Sequence, residues 1–197
     1  MNEKNFKLTW MKSLEAFLDR NPGLKKIDDP EQLEYYRNDL NVDLPPLIRD
    51  LMLKSLPDLI LQPMTEEHLV EIFAFAREHK IPLTVRGAGT WGYGGAVPTR
   101  GGIVIDLGFM DTIQVDPDVL RVTVGPGARF LDIHRELDRQ GLALLSMTSG
   151  KGGTLAGWMA TGGMGFGTFS HGPVGNQLVS LRVITPQGEI RDLSAGD

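Results

Sequence analysis

The residues of this chain best suited to chemistry are glycines. Arg86-Gly87-Ala88-Gly89-Thr90-Trp91-Gly92-Tyr93-Gly94-Gly95 places five glycines in ten positions, between the apolar runs Leu83-Thr84-Val85 and Gly102-Ile103-Val104-Ile105-Asp106-Leu107. Glycine at this density lets the backbone take φ > 0 and brings its amides close to a ligand. Clustered N–H groups with no side chains in the way form a concave anion site suited to phosphate. A second glycine-rich segment, Ser149 to Gly175, can close over the same ligand from the other side. The residues alone therefore suggest two glycine loops holding one dinucleotide.

Gly87-Ala88-Gly89-Thr90-Trp91-Gly92 also matches G-x-G-x-x-G literally, with Asp106 roughly 20 residues on. A Rossmann fingerprint of that form leads straight into a helix that holds the pyrophosphate at its N-terminus. Tyr93 to Gly102 instead contains four more glycines and a proline, each costly inside a helix. The loop is expected to return directly to a strand, as a strand–loop–strand phosphate cradle.

Of the 24 glycines, 21 lie between Gly87 and Gly175, and Gly152 to Leu181 contains no Asp, Glu, Lys or Arg. A water-exposed loop rarely lacks charge so completely, so cover by protein or by a flat apolar ligand is expected. Trp158, Met159, Met164, Phe166 and Phe169 would supply contact area. Thr148, Ser149, Thr154, Thr161 and Thr168 would supply hydroxyls. The alternative is a buried glycine-rich turn region without ligand. His171 reads as a packing or hydrogen-bonding group before a base, and His68, His79 and His134 as residues on helix surfaces or rims. No two histidines have metal-ligand spacing and no Ser-His-Asp pattern stands out, so no metal is expected.

The composition is that of a folded domain able to position such loops. Its 197 residues are 41% hydrophobic, and the net charge is −5 without a basic cluster, which argues against nucleic acid as a partner. The absence of cysteine excludes disulfides, thiolate metal sites, cysteinyl-linked cofactors and iron–sulfur ligation by these residues. Met1-Asn2-Glu3-Lys4-Asn5 lacks an apolar signal core, and no uncharged run reaches the length of a membrane span. A soluble, cytoplasmic chain with no transmembrane segment is expected.

Along the chain, Phe6, Trp10, Leu14, Phe17 and Leu18 suggest one amphipathic helix over residues 1 to about 27, stopped by Asn21-Pro22-Gly23. It packs on its own domain or, alternatively, docks a partner. Leu33 to Arg37 adds a helical turn or two, and Asp43 to Leu53 a short helix beginning near Pro45-Pro46. Asp58-Leu59-Ile60-Leu61-Gln62 reads as a strand. Thr65 reads as the N-cap of a helix bearing Leu69, Ile72, Phe73 and Ala76, and Leu83-Thr84-Val85 completes a β-α-β unit. Strands come next at Ile103 to Leu107, Thr112 to Val115 and Leu120 to Val124. A helix over Ala128 to Gln140 ends at Gly141, and a hairpin pairs Leu178 to Thr185 with Glu189 to Leu193.

These motifs carry a resemblance. Arg86-Gly87-Ala88-Gly89-Thr90, Gly94-Gly95-Ala96-Val97-Pro98 and Gly102-Ile103-Val104-Ile105-Asp106-Leu107 resemble the first pyrophosphate loop of the FAD-linked oxidases, the vanillyl-alcohol oxidase and p-cresol methylhydroxylase family. The glycolate oxidase/D-lactate dehydrogenase branch is the most similar. Thr123-Val124-Gly125-Pro126-Gly127-Ala128 is similar to the family's T-V-x-P-G segment. Thr154-Leu155-Ala156-Gly157, Ala160-Thr161-Gly162-Gly163 and His171-Gly172 resemble its second loop, and Leu181 to Glu189 the strand pair after it. The likeness covers roughly residues 57 to 197 and leaves out the first helix.

The resemblance implies an α+β fold, a two-subdomain FAD-binding domain of p-cresol methylhydroxylase type at 56–197, incomplete at its C-terminus, behind an N-terminal helical extension at 1–55. The amides of Gly87, Ala88, Gly89, Thr90 and Trp91 would bind the pyrophosphate. Ser149 to Thr154 and Thr161 to Gly165 would line the ribityl chain and isoalloxazine, and Ile184 would lie beside the adenine. The implied cofactor-binding set is Arg86, Gly87, Ala88, Gly89, Thr90, Trp91, Gly92, Ser149, Gly153, Thr154, Gly157, Thr161, Gly163, Gly165 and Ile184. Arg86 reads equally as an ion-pair partner in packing and as a phosphate ligand. Thr90 stands where the covalently flavinylated branch has histidine, so FAD is expected to be non-covalent. Gly162, His171 and Asn176 depart from the Asn, Tyr and Asp common at their positions.

The activity that the resemblance implies is that of a flavin-dependent oxidoreductase, oxidising a small-molecule 2-hydroxy acid of the glycolate or D-lactate type by hydride transfer to flavin N5. The alternative is a non-catalytic flavin carrier, an electron-transfer or assembly subunit. A redox partner protein or iron–sulfur subunit would suit either. The family's substrate domain and catalytic base have no counterpart here, so the chain reads as a fragment of a longer polypeptide or as one whose partner subunit supplies the rest.

Overall fold

The computed structural model describes residues 3–39 and 56–195, with side chains from Thr9 onward. Its elements begin with α1 (Glu3–Asp19), β1 (Lys25–Ile27), α2 (Pro30–Tyr35), β2 (Leu59–Gln62), α3 (Glu66–His79), β3 (Leu83–Arg86) and β4 (Ile103–Asp106). They continue with β5 (Ile113–Asp116), β6 (Arg121–Val124), α4 (Phe130–Asp138), α5 (Leu155–Ala160), α6 (Thr168–His171), β7 (Ser180–Ile184) and β8 (Ile190–Ser194).

Four strands form one sheet in the order β1-β2-β4-β3. β2 and β3 both run parallel to β4, and β1 runs antiparallel to β2. The inner strands are apolar on both faces, as interior parallel strands must be. Leu59, Leu61, Ile103 and Ile105 face Trp10, Leu14 and Phe17 of α1 and Ile72, Phe75 and Ala76 of α3. Phe17 stacks on Phe75 with ring centroids 4.4 Å apart. The alternate residues Ile60 and Val104 face Leu33 and Tyr36 on the other side. Each such aliphatic side chain contributes roughly 1.5–3 kcal/mol by leaving water.

α3 begins where the sequence places it. The Thr65 hydroxyl accepts from His68 N at 3.3 Å, Glu66 and Glu67 occupy the positive end, and Lys80 closes the helix in the left-handed region. The connection from β3 to β4 has no helix; residues 87–102 are loop throughout, which rules out the Rossmann turn. Gly102 ends this loop at φ 75°, with its α-carbon so close to Pro82 that a Cβ would sit 2.2 Å from the Pro82 carbonyl oxygen.

The second part is built on the β5–β6 hairpin, whose Ile113, Val115, Val122 and Val124 pack on Ala128, Ile133 and Leu137. α4 ends as expected, with Gly141 at φ 69° and Leu142 N donating to Leu137 O at 3.0 Å. The β7–β8 hairpin leans back on α3: Arg182 pairs with Glu66 at 3.3 Å, Arg77 donates to the Gln187 carbonyl, and Ile184 packs against the α1–α3 core.

Two expectations need correction. The first helix stops at Asp19 and not near residue 27; after the Asn21-Pro22-Gly23 break, Lys25–Ile27 pairs with β2, Ile27 opposite Ile60. Part of the N-terminal extension is therefore a strand, and α1 shares the main core. Trp158, expected as contact area for a ligand, is 7% exposed; it packs edge-on against Phe130 and its indole N–H donates to the Met164 carbonyl at 3.2 Å. The helix expected over Asp43 to Leu53 lies outside the described residues.

Candidate functional site

β3 ends at Arg86, directly across from Asp106 at the end of β4. The two C-terminal strand ends put the glycine loop and the Asp106–Gly108 turn side by side, the usual place for a ligand in such sheets. Among the described residues, the amides of Ala88, Gly89, Thr90, Trp91 and Gly92 donate to no protein acceptor. These residues are half-buried or exposed, so their amides can take acceptors from a bound anion.

The second glycine segment meets this loop. Phe130 N donates to Gly153 O and Leu131 N to Lys151 O, both at 2.9 Å, which ties residues 151–153 to the start of α4. Thr154 is 4% exposed, and its hydroxyl caps α5 by accepting from Gly157 N at 3.1 Å. A Cβ on Gly87 would stand 2.5 Å from that hydroxyl, and a Cβ on Gly153 would stand 3.0 Å from the Thr90 hydroxyl. The two loops touch at Gly87, where a Cβ does not fit beside Thr154, and at Gly153, where a Cβ would crowd Thr90.

Between them lies a cleft of about 250 Å³ lined by Tyr36, Arg86, Ala88, Asp106, Phe109 and Arg129, among others. That is below the roughly 300–1,000 Å³ of whole-ligand pockets, so the cleft is too small to enclose a whole dinucleotide. Its charge favours an anion. Asp106 is fully engaged: Oδ2 accepts from Tyr36 at 2.6 Å and Gln62 at 3.0 Å, and Oδ1 accepts from Gly108 N at 3.0 Å. Arg129 has no side-chain partner among the described residues. The Arg86 guanidinium donates to Asn38 O at 2.7 Å and faces the rings of Tyr35 and Tyr36, without an acidic partner among those residues. Burial and the hydrogen bond to Asp106 push the Tyr36 phenol well above its ordinary value, so it stays protonated; the nearby Arg86 charge opposes this only weakly.

The structure brings Arg86, Gly87, Ala88, Gly89, Thr90, Gly153 and Thr154 together. Trp91 and Gly92 come next on the exposed side, where Trp91 is tilted against Tyr93 with centroids 5.3 Å apart. Ser149 is exposed at the mouth of the second loop. Other members of the expected set have internal work. Gly157 N is held by Thr154, the Thr161 hydroxyl donates to Trp158 O at 2.8 Å, Gly163 N donates to Trp158 O at 3.0 Å, and Gly165 N donates to Thr168 Oγ1 at 2.8 Å. Ile184 sits in β7 and does not line the cleft. Tyr36, Asn38, Asp39, Phe109 and Arg129 went unremarked in the sequence. Arg129 alone had a local signal, since it comes directly after Gly125-Pro126-Gly127-Ala128.

The charge-free segment carries apolar side chains into solvent: Met164 is 72%, Phe166 66% and Phe169 fully exposed. Among the described residues no group of three or more His, Asp or Glu could hold a metal, and no helix is long and apolar enough to cross a membrane.

The chain is similar to known proteins. The FAD binding domain family model matches residues 57–194. A D-lactate dehydrogenase of Archaeoglobus fulgidus is 30% identical over 148 residues, 75% of this chain and 33% of the relative. The glycolate oxidase subunit GlcD of Bacillus subtilis is 30% identical over 139 residues, 70% of this chain and 30% of its own. An L-gulonolactone oxidase of Bos taurus is 31% identical over 143 residues, 70% and 31%. The chain thus spans about a third of the length of these relatives. Among solved structures, an alkyldihydroxyacetonephosphate synthase superposes with a TM-score of 0.78 at 25% identity, over 96% of this chain and 38% of that one. The 6-hydroxy-D-nicotine oxidase of Arthrobacter nicotinovorans gives 0.72 at 22% identity, over 87% and 36%, a likeness of fold.

Proposed function

Because the chain belongs to the FAD-binding-domain family, we propose that it is the flavin-holding part of an oxidoreductase acting on a 2-hydroxy acid of the glycolate or D-lactate type. The observation that carries the cofactor half is the run of amides from Ala88 to Gly92, unpaired among the described residues and closed by Thr154 and Gly153. It fits a diphosphate in geometry and, with Arg86 and Arg129, in charge. The substrate half draws on relatives named as D-lactate dehydrogenase and glycolate oxidase; a relative named for L-gulonolactone makes another alcohol the rival substrate.

FAD would supply a two-electron acceptor for hydride. The chain's own residues hold and orient it. Amides of the first loop take the diphosphate, and Gly152 to Thr154 press from the opposite side. Met164, Phe166 and Phe169 offer the apolar surface for the flat ring system. Attachment is non-covalent, since Thr90 and a cysteine-free chain offer neither imidazole nor thiolate at the loop. Proton abstraction from substrate falls to residues beyond these, because the carboxylate that lines the cleft among the described residues, Asp106, has both oxygens occupied.

The test is anaerobic mixing of glycolate or D-lactate with the flavin-loaded full-length polypeptide, which includes the part that carries the catalytic base. Bleaching of the oxidised flavin band supports the reading. A stable yellow protein that no 2-hydroxy acid bleaches favours the second reading, a flavin-carrying electron-transfer subunit, for which the full occupation of Asp106 is the supporting observation.

A further inference from the structure

The first glycine loop is gripped by a part of the chain that the family match does not reach. Residues 35–39 precede the matched span of 57–194, yet they hold the loop at both ends. At its start, Asn38 O accepts from Arg86 Nη1 at 2.7 Å, and the guanidinium carbon stands 5.5 and 5.3 Å from the ring centroids of Tyr35 and Tyr36. Fixed there, the guanidinium lies against Gly89, where a Cβ would stand 2.3 Å from Nη2. At the far end, Gly94 N donates to Asp39 Oδ2 at 2.7 Å.

Asp39 is 3% exposed, and its Oδ1 has no hydrogen-bond partner among the described residues. A buried carboxylate with one oxygen unpaired is a net cost to the fold. A glycine loop left free, in turn, loses much entropy on closing round a ligand, which weakens binding. We propose that Asn38 and Asp39 form a clamp that orders the first glycine loop for the FAD diphosphate, with Asp39 a positioning residue that gives up fold stability for cofactor affinity. The proposal rests on the reading of the site as an FAD cradle. Asp39 acts through the Gly94 amide, and Asn38 through Arg86 and Gly89.

FAD and riboflavin are titrated into the flavin-free forms of the wild-type protein, Asp39→Ala and Asp39→Asn by flavin fluorescence, and each flavin-free form is melted. The clamp predicts that Asp39→Ala raises the Kd for FAD by roughly tenfold or more while its melting temperature holds or rises. Asp39→Asn keeps an acceptor for Gly94 and stays within about threefold of wild type for FAD. Riboflavin, which has no diphosphate, changes little in either variant. Wild-type affinity in Asp39→Ala overturns the clamp. So does loss of affinity in Asp39→Asn, or a joint fall of melting temperature, FAD affinity and riboflavin affinity in Asp39→Ala, which marks a plain structural role. A wild-type protein that binds no FAD overturns the cradle itself.

Discussion

Gly87 and Thr154 carry the contact on which the cradle closes. A methyl group at Gly87 would stand 2.5 Å from the Thr154 hydroxyl and 3.3 Å from its methyl. Gly87→Ala therefore forces Thr154 to turn, which breaks its cap on Gly157 N and opens the loops. FAD affinity should fall roughly tenfold, about 1.4 kcal/mol, by titration. Thr154→Ala removes both clashing atoms, so the double variant should recover part of that loss, as a double-mutant cycle reads it. Tyr36 gives a second prediction. Its folded-state phenol lies well above the ordinary value because it is buried and donates to Asp106. The unfolded phenol ionises near pH 10, so above that the unfolded state holds fewer protons and stability falls as pH rises. Melts between pH 8 and about 11 should show this slope, and Tyr36→Phe should flatten it. At this scale the glycines were legible because backbone close approach leaves one residue type possible. Tyr36, Asn38 and Asp39 were not, because their partners Asp106, Arg86 and Gly94 lie about 50 to 70 residues away in sequence.

Elements differ in how far their own residues dictate them. α3 has a cap, acidic residues in its first turn and an apolar stripe, and it forms where those signals fall. β1 has almost no local signal. Its three residues, Lys25–Ile27, are exposed or half-buried, and the strand exists because the antiparallel edge of β2 is there to be paired. α5 was hidden by composition: Leu155–Ala160 contains Gly157 and sits among glycines, but the Thr154 cap and the burial of Trp158 beside Phe130 hold it. The inner strands are where stability concentrates. Ile105 is fully buried between α1, α3 and the strands beside it, so Ile105→Ala should cost about 2–5 kcal/mol in chemical denaturation. Thr65→Ala, which removes only the cap of α3, should cost about 0.5–2 kcal/mol. A reversed order of these two costs would mean that the sheet is not the organising core.

At the scale of the molecule, a chain of net charge −5 gathers around one cleft two arginines that have no acidic partner among the described residues. That local reversal of sign lies next to five amides without protein acceptors among the described residues, which is the basis of the proposed diphosphate site. Met164, Phe166 and Phe169 add exposed apolar surface on the second glycine segment. The most direct measurement compares FAD with riboflavin, titrated into the flavin-free protein at low and high salt. The account predicts that FAD binds tighter by roughly a hundredfold, about 2.8 kcal/mol, with the margin shrinking as salt screens the arginines. Equal affinity for the two flavins, or a preference untouched by salt, would contradict it.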